Sequence, residues 1–274
     1  MKRDGKLFCV LDRLGLILFQ LLLFLLPIII LALSLASSVS FYKSQWRKLE
    51  FYSYRDEYGV EVRRTIYFIG GNEDDIAHLS DGQIDSIAEH TVNYFFGDGE
   101  TFALEMDDVM LNWEKTDGVS LFGERAVSHM ADVKVLFGTL TVLAWVGGGL
   151  LLTVTGYLIR RRRSVKPLAL RYFLGFYAFL LSAAAIFCLI TLLTKESDTR
   201  FAYALWMNLH HFFFLFSPDK VAGSVIFDAT TELLRLEFFA NCIYIILTAL
   251  LFVQLLQVAL LLVLRRIDRK RTNL

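Results

Sequence analysis

Long apolar runs alternate with polar segments along this chain, and the lengths of the runs predict its architecture. Four runs have roughly 20 or more mostly apolar residues each, which is the length that a helix needs to cross a bilayer. They cover residues 14–36, 135–159, 168–194 and 240–264. The pattern therefore predicts a polytopic α-helical membrane protein with four transmembrane helices.

The polar segment at residues 37–134 has the pattern of a small mixed α+β domain. Four stretches rich in aromatic and β-branched residues favour strands, namely KLEFYSY, GVEVRRTIYFI, TFALEMDDVMLNW and VSLF. After the second stretch, Ser80 and Gln83 have the spacing of a capping box, and apolar residues recur at helical spacing up to Gly97. We expect two or three strands, a helix, two or three further strands, and a juxtamembrane helix that ends at residue 134.

The distribution of charge predicts the orientation of the chain. Basic residues cluster before the first run, at residues 160–167 and at residues 265–274, whereas residues 37–134 and 195–239 hold 25 of the 28 acidic residues. By the positive-inside rule, residues 160–167 form a cytoplasmic loop and residues 265–274 form a basic cytoplasmic tail. We therefore expect cytoplasmic termini, an extracytoplasmic mixed domain between the first and second spans, and an extracytoplasmic loop with an interfacial helix at 195–239.

The predicted spans contain few groups that carry chemistry. No Asp, Glu, Lys, Arg or His lies near the middle of a span, where an ionisable group would mark an ion or proton path. Cys9, Cys188 and Cys242 lie outside the two acidic segments, so neither segment has a cysteine nucleophile, a thiolate metal site or an intrachain disulfide. The glycine run at 147–149 in the second span is typical of close helix packing.

A first candidate site lies just before the second span, in ERAVSHMADVKVLF. If this stretch is helical, Arg125, His129 and Asp132 lie on one face near the level of lipid ester groups. The carboxylate would fix the tautomer of the histidine and raise its basicity, whereas the cation would oppose this. The alternative is an amphipathic juxtamembrane turn with solvated charges, in which Lys134 extends outward to solvent.

A second candidate site is the stretch NLHHFFFLF at residues 208–216, which places two histidines beside a hydrophobic surface. His129, His210 and His211 could in principle bind zinc, but the chain has no His-Glu-x-x-His motif. Adjacent residues of a helix also point about 100° apart, so we expect no metal ion here. His78 and His90 are expected on the surface of the mixed domain.

These two stretches and the four-span layout resemble the bacterial lipoprotein intramolecular transacylase family. The similarity is carried by His-Met-x-Asp-Val-Lys at 129–134 and by His-x-x-Phe-Phe at 210–214. It implies an enzyme that moves an acyl chain of the S-diacylglyceryl group of a bacterial lipoprotein to the α-amino group of its N-terminal cysteine. The product is the lyso-form lipoprotein, and the expected partners are this diacylglyceryl-modified lipoprotein and membrane lipids, without nucleic acid and without a cofactor.

The resemblance also implies a location and residue roles. The protein is expected in the bacterial cell membrane with its active site at the outer leaflet. His129 and His210 are the expected acid/base pair, and which of them is the base stays open. Supporting candidates are Arg125 and Asn208 for the oxyanion, Asp132 and Lys134 beside His129, and His211 as a partner of His210 or an interfacial residue.

An α-amino group with a pKa of about 8 attacks an ester only when it is neutral, so a base with a pKa near 7 suits this reaction. A non-enzymatic membrane sensor or accessory protein with an extracytoplasmic ligand-binding domain stays open as the alternative. It predicts that the purified protein does not convert a diacylglyceryl lipopeptide.

Overall fold

The computed structural model describes residues 2–55, 57–58, 61–62, 65–194, 200–201, 204–205, 207–208 and 228–272. The chain divides into two compact units. The helical unit consists of Met1–Leu31, Thr141–Phe201 and Ile243–Leu274, and the mixed unit consists of Ala32–Leu140 and Ala202–Cys242.

Within the part of the chain that the structure describes, four helices are long and apolar enough to cross a membrane, which agrees with the prediction of a polytopic helical membrane protein. They are α1 (Lys2–Ala36), α4 (Glu124–Arg160), α5 (Arg162–Thr194) and α7 (Leu236–Thr272). At a rise of 1.5 Å per residue, the 37 residues of α4 extend about 55 Å, well beyond the roughly 30 Å hydrocarbon core of a bilayer. Because the charged side chains at the N-terminal end of α4 lie within residues 124–134, the part of α4 suited to the bilayer begins at Val135.

Helices α1, α4 and α7 make close contacts within the helical unit. A Cβ atom at Gly147 would lie 2.8 Å from a side-chain carbon of Leu26, so this glycine permits the close approach that the glycine run predicts. The other two glycines of the run face open space. The side-chain amides of Gln20 on α1 and Gln257 on α7 hydrogen-bond to each other in both directions, at 3.2 and 2.7 Å.

The mixed unit contains short antiparallel strands around one helix. Among the described residues, four strands precede α3 (Asp81–Phe96) and four follow it. They are β1 (Tyr54–Arg55), β2 (Glu61–Val62), β3 (Thr65–Tyr67), β4 (Ile76–His78), β5 (Glu105–Met106), β6 (Val109–Leu111), β7 (Glu114–Thr116) and β8 (Val119–Ser120). The main sheet has the order β3-β4-β6-β7, and β1-β2 and β5-β8 form separate pairs. Strands thus lie on both sides of α3, but they are shorter and more numerous than expected.

Helix α3 matches its sequence signals closely. Ser80 and Gln83 form the capping box, and Gly97 is the C-terminal cap. The residues that pack inward from this helix into the core are Ile84, Ile87, Ala88, Thr91, Tyr94 and Phe95, and they meet the buried sheet residues Ile66, Ala77 and Val109.

A helix that the sequence pattern did not predict, α2 (Val39–Lys48), precedes the first strand. Its N-cap is Ser38, whose side chain accepts a hydrogen bond from the amide of Phe41. Tyr42, Gln45 and Trp46 have i, i+3 and i+4 spacing and are buried together. The indole Nε1 of Trp46 donates to the carbonyl of Leu233, 2.9 Å away, in the short helix α6 (Ala229–Leu233).

Candidate active site

His129 lies in the second turn of α4, at the border of the face that packs into the mixed unit. Ala126 and Met130 on that face are buried, and Val133 and Phe137 continue it with partial burial. His129 itself is half-buried. The helical spacing of apolar residues therefore holds the imidazole partly out of water, shortly before the apolar part of the helix begins.

Burial and one carboxylate set the electrostatics of His129. Burial lowers the pKa of His129 below its ordinary value, and the nearby carboxylate of Asp132 opposes this shift. The helix over this stretch confirms the spacing expected for Arg125, His129 and Asp132. Arg125 is exposed, whereas Asp132 is half-buried like the histidine. A half-buried imidazole with a lowered pKa is neutral at neutral pH and able to accept a proton.

Lys134 does not extend outward to solvent, so that part of the alternative reading was wrong. Its ammonium donates a hydrogen bond to the carbonyl of Gly99 at 2.7 Å and lies 4.4 Å from the centre of the Tyr94 ring. Gly99 belongs to the turn that follows α3. These two contacts of Lys134 therefore connect the turn after α3 to the helix that carries His129.

The N-terminal end of α4 is held by a buried carboxylate that sequence reasoning missed. Asp228 accepts a hydrogen bond from the backbone amide of Gly123, the residue that precedes α4, at 2.7 Å. It is also the N-cap of α6, where Thr231 completes a capping box. The only sequence signal was the Asp-x-x-Thr spacing of that box, which gives no hint of the bond to Gly123.

His78 and His90 are half-buried structural residues, which corrects the expectation that both lie on the surface. The Nε2 atom of His90 lies 3.1 Å from the carbonyl oxygen of Phe102. The ring of His78 packs 4.4 Å from that of Trp113, and its Nδ1 atom is 3.3 Å from the hydroxyl of Thr65.

The second candidate stretch lies mostly outside the part of the chain that the structure describes. His210 and His211 both fall outside the described residues, and Asn208 is half-buried. Within the described ranges, no group of three or more His, Cys, Asp and Glu side chains is arranged to hold a metal ion.

Comparison with known proteins gives one match. A family model described as lipoprotein intramolecular transacylase Lit matches residues 16–220, which is more than half of the 274 residues. No curated protein and no solved structure matches the chain. The matched range contains both histidine stretches and ends before Asp228.

Proposed function

The chain belongs to the lipoprotein intramolecular transacylase family, and we propose that it converts a diacylglyceryl lipoprotein into its lyso form. The free α-amino group of the N-terminal cysteine attacks the carbonyl carbon of one ester of the S-linked glyceryl group. An amide bond forms and the bond to the glyceryl oxygen breaks. The proton lost by the amine ends on the released hydroxyl, so the reaction consumes no water and needs no cofactor.

This chemistry makes modest demands on the protein. Because nucleophile and ester belong to one molecule, holding the glyceryl linkage in an attack geometry lowers the barrier by roughly 7 kcal/mol or more in favourable intramolecular cases. The remaining tasks are to deprotonate the amine, protonate the leaving oxygen and stabilise the tetrahedral oxyanion.

We assign the base role to His129, and the observation that carries this assignment is its half-buried position beside Asp132, shortly before the apolar part of α4. Burial keeps the imidazole neutral, and the carboxylate stabilises the imidazolium that forms when the proton is taken up. His210, from the second matched stretch, is the proposed acid or oxyanion partner. Arg125 and Asn208 are further candidates for stabilising the oxyanion, and His211 is a candidate partner of His210.

The charge pattern supports the proposed location. With the basic segments on the cytoplasmic side, residues 37–134 and 195–239 lie on the extracytoplasmic side of the membrane. Both histidine stretches then lie beside the outer leaflet of a bacterial cell membrane, where the acyl esters of a lipoprotein are found. The substrate thus reaches the site from within that leaflet.

The test is the conversion of a synthetic diacylglyceryl lipopeptide by the purified protein. Because the transfer is intramolecular, substrate and product have the same mass, so tandem mass spectrometry must show an acyl group on the N-terminal amine. We expect His129→Gln and His210→Gln to lose about 10²- to 10⁴-fold in rate. His90→Gln is the matched control, since an amide can still donate to the carbonyl of Phe102, and it should remain active.

Two results would contradict the proposal. Full activity in both the His129 and the His210 variants would remove the catalytic assignment. An inactive wild-type protein, correctly inserted and folded, would favour a membrane sensor or accessory protein instead.

A further inference from the structure

Asp228 lies beyond the range of the family match, yet it contacts the end of the helix that carries His129. We propose that Asp228 is a positioning residue, which fixes the first turns of α4 and thereby holds His129 in its half-buried site. This inference rests on the proposed function, because it takes His129 as the base. It assigns a role in the reaction to a segment outside the matched stretches.

The carboxylate of Asp228 uses both of its oxygens. Oδ2 accepts the amide of Gly123 at 2.7 Å, and Oδ1 accepts the amide of Thr230 at 2.9 Å. The side chain is only 1% exposed. An asparagine has one acceptor oxygen, so it can satisfy one of these amides while its NH₂ group opposes the other.

The backbone at Gly123 is held from a second side as well. A Cβ atom at this position would lie 2.7 Å from the carbonyl oxygen of Gly70, so only glycine allows this approach. The amide of Gly70 in turn donates to the carbonyl of Leu121 at 3.0 Å. The chain therefore enters α4 between a turn of the sheet region and the carboxylate of Asp228.

Asp228, the other partner of this hydrogen bond, belongs to a buried part of the mixed unit. Asp228 caps α6, whose residues Ala229 and Leu233 are 0% and 1% exposed. The carbonyl of Leu233 accepts the indole of Trp46. Because α6 is fixed in the core of the mixed unit, the bond from Asp228 limits the motion of Gly123 and does not simply move with it.

The position of Gly123 affects His129 because Gly123 lies at the N-terminal end of α4. Its carbonyl accepts the amide of Val127 at 3.0 Å, so it occupies the N-cap position. His129 follows six residues later, about 9 Å along the axis and within two turns. Helix ends open more readily than helix centres, and a carboxylate at the N-terminal end is favoured by the helix dipole. Loss of the bond frays the turns that carry the imidazole.

Burial of the charged Asp228 carboxylate is unfavourable, and nearby hydrogen bonds partly offset this free-energy cost. Burial raises the pKa of Asp228 above its ordinary value, and the hydrogen bonds from Thr230 and Gly123 act in the opposite direction. A neutral side chain would avoid the burial cost but leave one backbone amide unsatisfied. The requirement at this position is therefore for two acceptor oxygens.

The experiment compares Asp228→Asn with Asp81→Asn in the full-length protein. Asp81 accepts the amide of Ser53 at 2.8 Å with one oxygen. An asparagine can keep this single bond, so the control removes a carboxylate charge away from α4 without leaving a backbone amide unsatisfied. Steady-state kinetics on a diacylglyceryl lipopeptide and hydrogen–deuterium exchange are measured for both variants. We expect Asp228→Asn to lower kcat about 10- to 100-fold with KM within about twofold, and to raise exchange at residues 121–131. Asp81→Asn should do neither.

The possible outcomes separate this inference from the proposed function. Unchanged kcat in Asp228→Asn, or lowered kcat without faster exchange at residues 121–131, overturns the positioning role. Equal losses in both variants with a lower unfolding midpoint indicate general destabilisation and also overturn it. An inactive wild-type protein refutes the proposed function, and the role of Asp228 in holding His129 for catalysis falls with it. The exchange data then still report whether Asp228 orders α4.

Discussion

The paired amides of Gln20 and Gln257 provide a quantitative test of how the helical unit is held together. Each amide donates to the other, at 3.2 and 2.7 Å, and Gln20 is only 4% exposed. The perturbation is a cycle of Gln20→Leu, Gln257→Leu and the double variant. Leucine has a similar size and has no polar group to satisfy.

The expected magnitudes follow from the two bonds. Hydrogen bonds between transmembrane helices average about 0.6 kcal/mol and reach about 1.7 kcal/mol, so the two bonds predict a coupling free energy of about 1–2 kcal/mol. Each single variant leaves one amide without its partner in apolar surroundings, at a cost of about 1–3 kcal/mol in the free energy of unfolding. The double variant leaves neither amide, so its loss should be clearly smaller than the sum of the single losses.

The assay is reversible unfolding in mixed micelles of mild detergent and dodecyl sulfate, followed by far-UV circular dichroism. A control cycle combines Gln20→Leu with Thr153→Val, because the Thr153 hydroxyl donates to the carbonyl of Gly149 within its own helix. We expect coupling near zero in the control cycle. Additive losses for Gln20 and Gln257 would refute the view that their amides bind each other.

Two further predictions concern the mixed unit. Asp132→Asn removes the charge that raises the pKa of His129, so this pKa should fall further and the acid limb of kcat/KM against pH should move to lower pH; a shift to higher pH would contradict the assignment. Trp46→Phe leaves the buried carbonyl of Leu233 without its donor and should lower the free energy of unfolding by about 1–3 kcal/mol. Trp113→Phe is its exposed control, and equal losses in both variants would refute the role of the indole bond.

Sequence periodicity was sufficient to predict the helices in which one pattern continues over several turns. The four candidate spans are marked by their length and apolar composition, and α3 is marked by its capping box, its apolar face and its terminal glycine. Helix α2 was missed because residues 39–48 contain Val39 and three aromatic residues, types that are also common in strands. What decides its structure is the shared burial of Tyr42, Gln45 and Trp46, which depends on tertiary contacts.

The candidate site was predictable only as far as local spacing carries information. The helical relation of His129 to Asp132 follows from the sequence, and the structure retains it. The bonds of Lys134 to Gly99 and of Asp228 to Gly123 connect residues 35 and 105 positions apart. Neither residue type nor spacing identifies such a partner, because a lysine or an aspartate in a polar segment is compatible with solvent as well.

The bond from Lys134 to Gly99 has a consequence for the proposed transfer of an acyl group to an amine. Lys134 is a primary amine in the turn of α4 that follows His129, and a free lysine there would compete with the substrate as an acyl acceptor. The Lys134 nitrogen instead donates to the carbonyl of Gly99 and lies over the ring of Tyr94. We expect this contact to keep the Lys134 amine from competing with the substrate in the proposed reaction.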